Sequence, residues 1–152
     1  MKAALVGLMQ SGKSTILASI SGKQAAMIGS TAIEEAVVPV PDDRFDFLIK
    51  YCNPKKVVHA TIDCLDTPGF NFTEDNGRTA ARRLINKIRT IDLLVLVVRA
   101  FNDPSVPAYR NRVNPLSDLA ELQTELLLAD LELVTTRIEN LEKQANKPSK
   151  TQ

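Results

Sequence analysis

Eight consecutive residues, Gly7-Leu8-Met9-Gln10-Ser11-Gly12-Lys13-Ser14, carry a recognisable chemistry. They fit the spacing G-x-x-x-x-G-K-[ST] at every fixed position. Gly7 and Gly12 let the backbone close into a ring of inward N–H groups that cradle anionic oxygens. A helix starting near Lys13 adds the positive end of its dipole. Lys13 is expected to reach the β- and γ-phosphates of a nucleotide and to be the catalytic charge, and the Ser14 hydroxyl is expected to ligate Mg²⁺. Gln10, Ser11 and Thr15 complete the expected phosphate-binding set. A chance match on a strand–turn–helix is the competing explanation.

A second motif in the right place argues against chance. Asp66-Thr67-Pro68-Gly69 has the form D-x-x-G at the end of an apolar stretch. Asp66 is expected to reach Mg²⁺ through a water, and the Gly69 N–H to touch the γ-phosphate and sense its loss. Standing alone, this tetrapeptide is also a good turn sequence. Phe70 follows, where many phosphate-loop hydrolases carry a Gln that orients water. A phenyl ring cannot do that, so slow intrinsic hydrolysis is expected unless another group or a partner helps; Phe70 also suits a plain loop anchor. Ser30 and Thr31 are alternative candidates for a hydroxyl on Mg²⁺ and the γ-phosphate, Thr31 being grouped with Ser14 and Asp66 in the metal set.

These motifs need elements to hold them. Ala3–Val6 is a short apolar run that predicts a buried strand, and Ser14–Ile20 a helix stopped by Ser21-Gly22. Lys23–Glu35 has no clear periodicity and reads as a mobile loop. Ala36–Val40 predicts a strand, and Asp42 or Asp43 a cap for a helix to about Tyr51. In that helix Phe45, Leu48, Ile49 and Cys52 have helical spacing. Val57–Leu65, containing His59, alternates as a strand does. Arg78–Ile91 reads as a helix. Leu93–Val98 reads as a central strand covered on both faces. From Pro115 a long helix runs to about Lys147 with an apolar stripe: Leu119, Leu122, Leu126, Leu127, Leu131, Val134, Ile138 and Leu141. The last four step by three and four, which is coiled-coil spacing. Strands alternating with helices give an α/β class with a mainly parallel sheet. The short connection between Ala36–Val40 and Val57–Leu65 allows one antiparallel neighbour. The expected division is 1–114, 115–147 and a polar tail, 148–152.

Composition narrows the field. The 152 residues suffice for a single domain, and 44% apolar with 24% charged content is ordinary for a soluble globular chain. Lys plus Arg number 19 against 18 acidic residues, so bulk charge gives no reason to expect nucleic-acid binding, although a local basic patch is compatible with it. Cys52 and Cys64 read as two reduced, buried thiols. A single histidine rules out a histidine metal cluster or triad. Nothing resembles a signal peptide or a membrane span, so a cytoplasmic, membrane-free protein is expected.

Further segments occur in a telling order. They are Val37-Val38-Pro39-Val40-Pro41-Asp42 with Arg44, Pro54-Lys55-Lys56-Val57-Val58, Val97-Val98-Arg99-Ala100-Phe101, Asn114-Pro115-Leu116 and Glu125–Glu132. With the two phosphate motifs they resemble the YchF/Obg-like ATPases over essentially the whole chain. The resemblance implies a phosphate-loop nucleotide hydrolase fold and a Mg²⁺-dependent ATPase/GTPase switch associated with the ribosome. It also implies a helical coiled-coil insertion starting near Pro115. The chain departs from the family at Gln10, where an Asn helps hold a monovalent cation. It departs also before the Val-Val-Pro strand and in Asn71–Gly77. No N-K-x-D or N-x-x-E segment follows Leu93–Val98, so the choice between GTP and ATP is left open and the fold is expected to be incomplete on its C-terminal side. Two functions stay in view: a hydrolytic switch, or a non-catalytic module that keeps the phosphate cradle. The apolar stripe is expected to pair with a second copy, as a homodimer, or to fold back on the sheet.

Overall fold

A computed structural model describes residues 1–22 and 32–145. The elements in chain order are β1 (Lys2–Gly7), α1 (Lys13–Ser21), β2 (Glu34–Pro39), α2 (Asp43–Cys52), β3 (Thr61–Asp66), α3 (Asp75–Ile88), β4 (Leu93–Val97), a short turn at Tyr109–Asn111 and α4 (Pro115–Ala145). They form a four-stranded sheet in the order β2-β3-β1-β4. β1 lies parallel to both β3 and β4, and β2 is the antiparallel neighbour on β3. The class is therefore mixed α/β, as the alternation of elements predicts.

Period-two alternation along β1 divides the core. Ala4 and Val6 face one side with Leu8, Phe70, Phe72, Ala81, Ile85, Ile88 and Leu122, under α3 and the start of α4. Leu5 faces the other with Leu17, Ala36, Cys64 and Val97, under α1. The helix ends expected at Gly22 and at Asp42 or Asp43 are found, the latter at Asp42. Gly22 closes α1 in the left-handed region (φ 67°), and the Asp42 side chain accepts the Arg44 N–H at the start of α2. Asn114 caps α4 by accepting the Ser117 N–H at 3.1 Å, with Pro115 opening the helix.

Several expectations need correction. Glu34 and Glu35 belong to β2, not to a loop; the expected mobile loop otherwise lies mostly at 23–31, outside the described residues. β3 begins at Thr61, so His59 precedes the strand, its ring edge-on to Phe45 at 5.1 Å. The β-branched residues before it have no partner because β2 ends at Pro39; the last backbone bond there is Val40 N–H to the Ala60 carbonyl at 2.8 Å. The helix expected at Arg78–Ile91 runs from Asp75 to Ile88. β4 is a sheet edge among the described strands, with Leu93 and Val95 exposed, so it is not covered on both faces. Cys52 is exposed, and only Cys64 is buried. No side chain of α2 is buried. The stripe on α4 divides: Leu122 is buried and Leu126 packs on the core, whereas Leu127, Leu131, Val134, Ile138 and Leu141 are exposed. The distal half of α4 thus does not fold back on the sheet.

Candidate functional site

The two motifs meet because their strands are neighbours. β1 and β3 run parallel with Leu5 opposite Asp66, so the loops leaving both strands emerge at the same carboxyl edge of the sheet, where open α/β sheets bind ligands. The loops are also stitched together. The Phe70 N–H donates to the Gly7 carbonyl and the Met9 N–H to the Phe70 carbonyl, both at 3.0 Å. The buried Thr67 hydroxyl donates to the Leu5 carbonyl at 2.7 Å.

Close approach makes two of the glycines obligatory. A Cβ on Gly7 would stand 2.2 Å from the Val97 carbonyl oxygen, and one on Gly69 would stand 2.7 Å from the Met9 Cα. Gly12 caps α1 in the left-handed region (φ 96°), and Gln10 holds φ 58° within the loop. Ser11 is buried and its hydroxyl accepts from Lys13. Thr15 lies exposed on the first turn of α1.

Lys13 is 5% exposed. Its ammonium donates to the Gly7 and Leu8 carbonyls at 3.3 and 3.1 Å. Burial lowers its pKa from 10.5 to about 8, a shift partly offset by the Asp66 carboxylate. The Ser14 hydroxyl donates to Asp66 Oδ2. The other carboxylate oxygen, Oδ1, is buried without a hydrogen-bond partner. Seven of the expected residues, Gly7, Gln10, Ser11, Gly12, Lys13, Ser14 and Gly69, are thus brought together with Asp66 at one edge. Ser30 and Thr31 lie outside the described residues.

The family model for 50S ribosome-binding GTPases matches residues 2–137. The chain belongs to that family. It is similar to the ribosome-binding ATPase YchF of Bacillus subtilis, at 34% identity over 152 residues, covering 97% of this chain and 42% of the relative. It is also similar to Obg-like ATPase 1 of Gallus gallus, at 34% identity over 149 residues, covering 95% and 38%. Among solved structures, the Schizosaccharomyces pombe YchF GTPase matches with a TM-score of 0.67 and 28% identity, covering 99% of this chain and 41% of that one. The resemblance read from the motifs therefore holds, and the chain spans about two fifths of the length of these relatives.

Arg99 is buried, and its guanidinium donates to the carbonyls of Phe101, Asp103, Val106 and Pro107 at 2.9–3.3 Å. It lies 4.5 Å from the centroid of the Phe101 ring. That ring is itself half exposed, with an edge carbon 3.7 Å from where a Cβ on Gly12 would sit. The loop after β4 is therefore tied into a shape that holds an aromatic face beside the phosphate loop. A buried Arg clasping four carbonyls leaves no spacing signature, so only the motif's presence hinted at it. Phe70, by contrast, is buried against Phe72 at 5.5 Å and anchors its loop.

Proposed function

We propose that this chain binds a purine nucleoside triphosphate, GTP or ATP, with Mg²⁺ in the Gly7–Ser14 cradle and hydrolyses it as the switch of a ribosome-associated protein. One observation carries the reading. Asp66 Oδ1 is buried and unpartnered directly beside the Ser14 hydroxyl, an arrangement that costs stability unless a cation or its bound water completes it. A carboxylate and a hydroxyl are the hard oxygen donors Mg²⁺ prefers, and the metal keeps waters and phosphate oxygens for its remaining positions. Ser14 and Asp66 would hold it, with the hydroxyl of Ser30 or Thr31, both outside the described residues, proposed as a further donor. When bound, Mg²⁺ neutralises charge building on the phosphates. Lys13 binds and orients the β- and γ-phosphates, Gly12 and the start of α1 supply backbone N–H groups, and Gly69 reads the terminal phosphate. Phe101 offers the nucleoside an apolar face. The unit through Asn114 does this, and α4 is the arm.

Calorimetric titration with GTP, ATP and GDP, followed by phosphate release with Mg²⁺, tests the proposal. Asp66→Asn is expected to weaken Mg²⁺-dependent triphosphate binding at least about tenfold while leaving Mg²⁺-free binding nearly unchanged. Equal loss with and without the metal would remove Asp66 from the metal set. The buried Phe70 favours a second reading, a nucleotide-binding module with little turnover. Binding without phosphate release is its outcome.

Proton linkage gives a separate check. A polyphosphate beside Lys13 favours its charged form, which the empty site gives up above about pH 8. Binding at pH 8.5 is therefore expected to take up protons, and affinity to fall as pH rises through 8. Heats of binding that are identical in two buffers of different protonation enthalpy would contradict this.

The exposed stripe of α4 supports self-association as an antiparallel coiled coil, since surfaces of that kind seldom stay bare. Light scattering is expected to give a dimer mass; a monomer at high concentration overturns it.

A further inference from the structure

Among the described residues, α2 is the helix with no buried side chain, yet it carries large aromatics. Phe47 is 66% and Tyr51 81% exposed. They sit one turn apart with rings nearly parallel, 14° between planes and 6.4 Å between centroids. Asn53 ends the helix in the left-handed region (φ 43°) and turns the chain back. The contact of His59 with Phe45 shows that the chain returns along α2. Lys55 and Lys56 therefore lie at the carboxyl end of the helix, near Lys50 and Tyr51. No ion pair among the described residues engages any of these three lysines, and Asp46, one turn before Lys50, makes none with it. Asp42 and Asp43 stand at the opposite end, where Asp42 is taken by Arg44.

Exposed flat rings interleaved with free cations match a polyanion that carries bases. A partner protein's apolar face would leave the lysines with nothing to neutralise, and a bare phosphate group would leave the rings uncovered. We propose that α2 and the Asn53–Val58 return form a binding platform for single-stranded RNA. Bases stack on Phe47 and Tyr51, and backbone phosphates lie on Lys50, Lys55 and Lys56. The platform shares no residue with the phosphate cradle and rests on no part of the nucleotide reading.

The test uses the full 152-residue chain without nucleotide, titrated into fluorescein-labelled 12-mers of U and of A and read by anisotropy. Tyrosine emission is followed in parallel. The chain has no tryptophan and two tyrosines, and Tyr109 is buried, so quenching reports stacking on Tyr51. Binding is expected with little base preference and a slope of about −2 in log affinity against log salt, as three phosphate contacts on a single strand give. Phe47→Ala and Tyr51→Ala are each expected to weaken binding at least about fivefold. The triple Lys50→Ala, Lys55→Ala, Lys56→Ala variant should flatten the salt slope. All these positions are exposed, so circular dichroism should not change. The proposal is overturned by absence of RNA binding, by binding that survives loss of both rings, or by competition from Mg²⁺-ATP, which would put the RNA in the phosphate cradle. It is equally overturned if the ring substitutions instead dissociate a dimer.

Discussion

Lys13→Ala is expected to lower Mg²⁺-dependent phosphate release at least about a hundredfold, the scale on which removal of one preorganised charge-stabilising donor is felt. Its ammonium is buried and fixed by the Gly7 and Leu8 carbonyls and the Ser11 hydroxyl, so its charge is held in place at the cradle before any ligand arrives. Folding should survive, because a buried charge is lost rather than a packed apolar group. The pH dependence of stability separates this from simple damage. The Lys13 pKa is lowered from 10.5 to about 8 in the folded chain. Between those values the unfolded chain binds more protons, so wild-type stability rises with pH across the window. Below pH 8 the full cost of burying the charge is present. In Lys13→Ala the rise should vanish. Urea melts at pH 7.5 and 10 check it: an equal rise in both proteins would mean that Lys13 is not the buried titrating group, and unimpaired turnover would remove it from the chemistry.

Gly7→Val is expected to abolish nucleotide binding and to destabilise the fold by about 1–3 kcal/mol, the range of overpacking strain. The added Cβ would meet the Val97 carbonyl oxygen at 2.2 Å and the Ser11 hydroxyl at 2.8 Å. Gly7 and Val97 are ladder partners on β1 and β4, so relief requires the strands to part where the loop begins. Gly22→Ala is the contrasting substitution. A Cβ there meets nothing within 4 Å, and only its φ of 67° is unfavourable, so binding should be kept with a cost of about 1 kcal/mol or less. Chemical denaturation and nucleotide titration of both variants decide the matter. Retained nucleotide affinity in Gly7→Val would show that the loop tolerates a side chain there.

The parts of this site that were legible in the sequence are those built by local backbone geometry. The cradle needs glycine at Gly7 and Gly12 and a following helix, all within eight residues, so spacing alone reveals it. Asp66 could be paired with it because parallel strands put both loops at one edge. What escaped depended on partners distant in the chain. Leu93–Val97 is apolar enough for a central strand, but apolarity does not reveal whether another strand lies beside it. Val57 and Val58 have strand-forming side chains, but β2 ends at Pro39, opposite Thr61, and the chain turns into α2 at Asp43, so no strand continues beside them. Cys52 has the spacing of a core residue on a helix that no core covers. The Arg99 clasp and the Tyr109 hydroxyl, which accepts the Phe72 N–H at 3.2 Å and donates to Glu121 at 3.3 Å, join segments that no local pattern links.

That last pair of bonds has a geometric consequence. Tyr109 and Glu121 connect the segment following Gly69 to the root of α4, whose residues from Leu131 to Ala145 are all exposed. Fifteen helical residues extend about 22 Å. A tilt of roughly 10° at the root would sweep the tip through about 4 Å by that length, so α4 is proportioned as a lever, with small displacements at its fulcrum magnified at its far end.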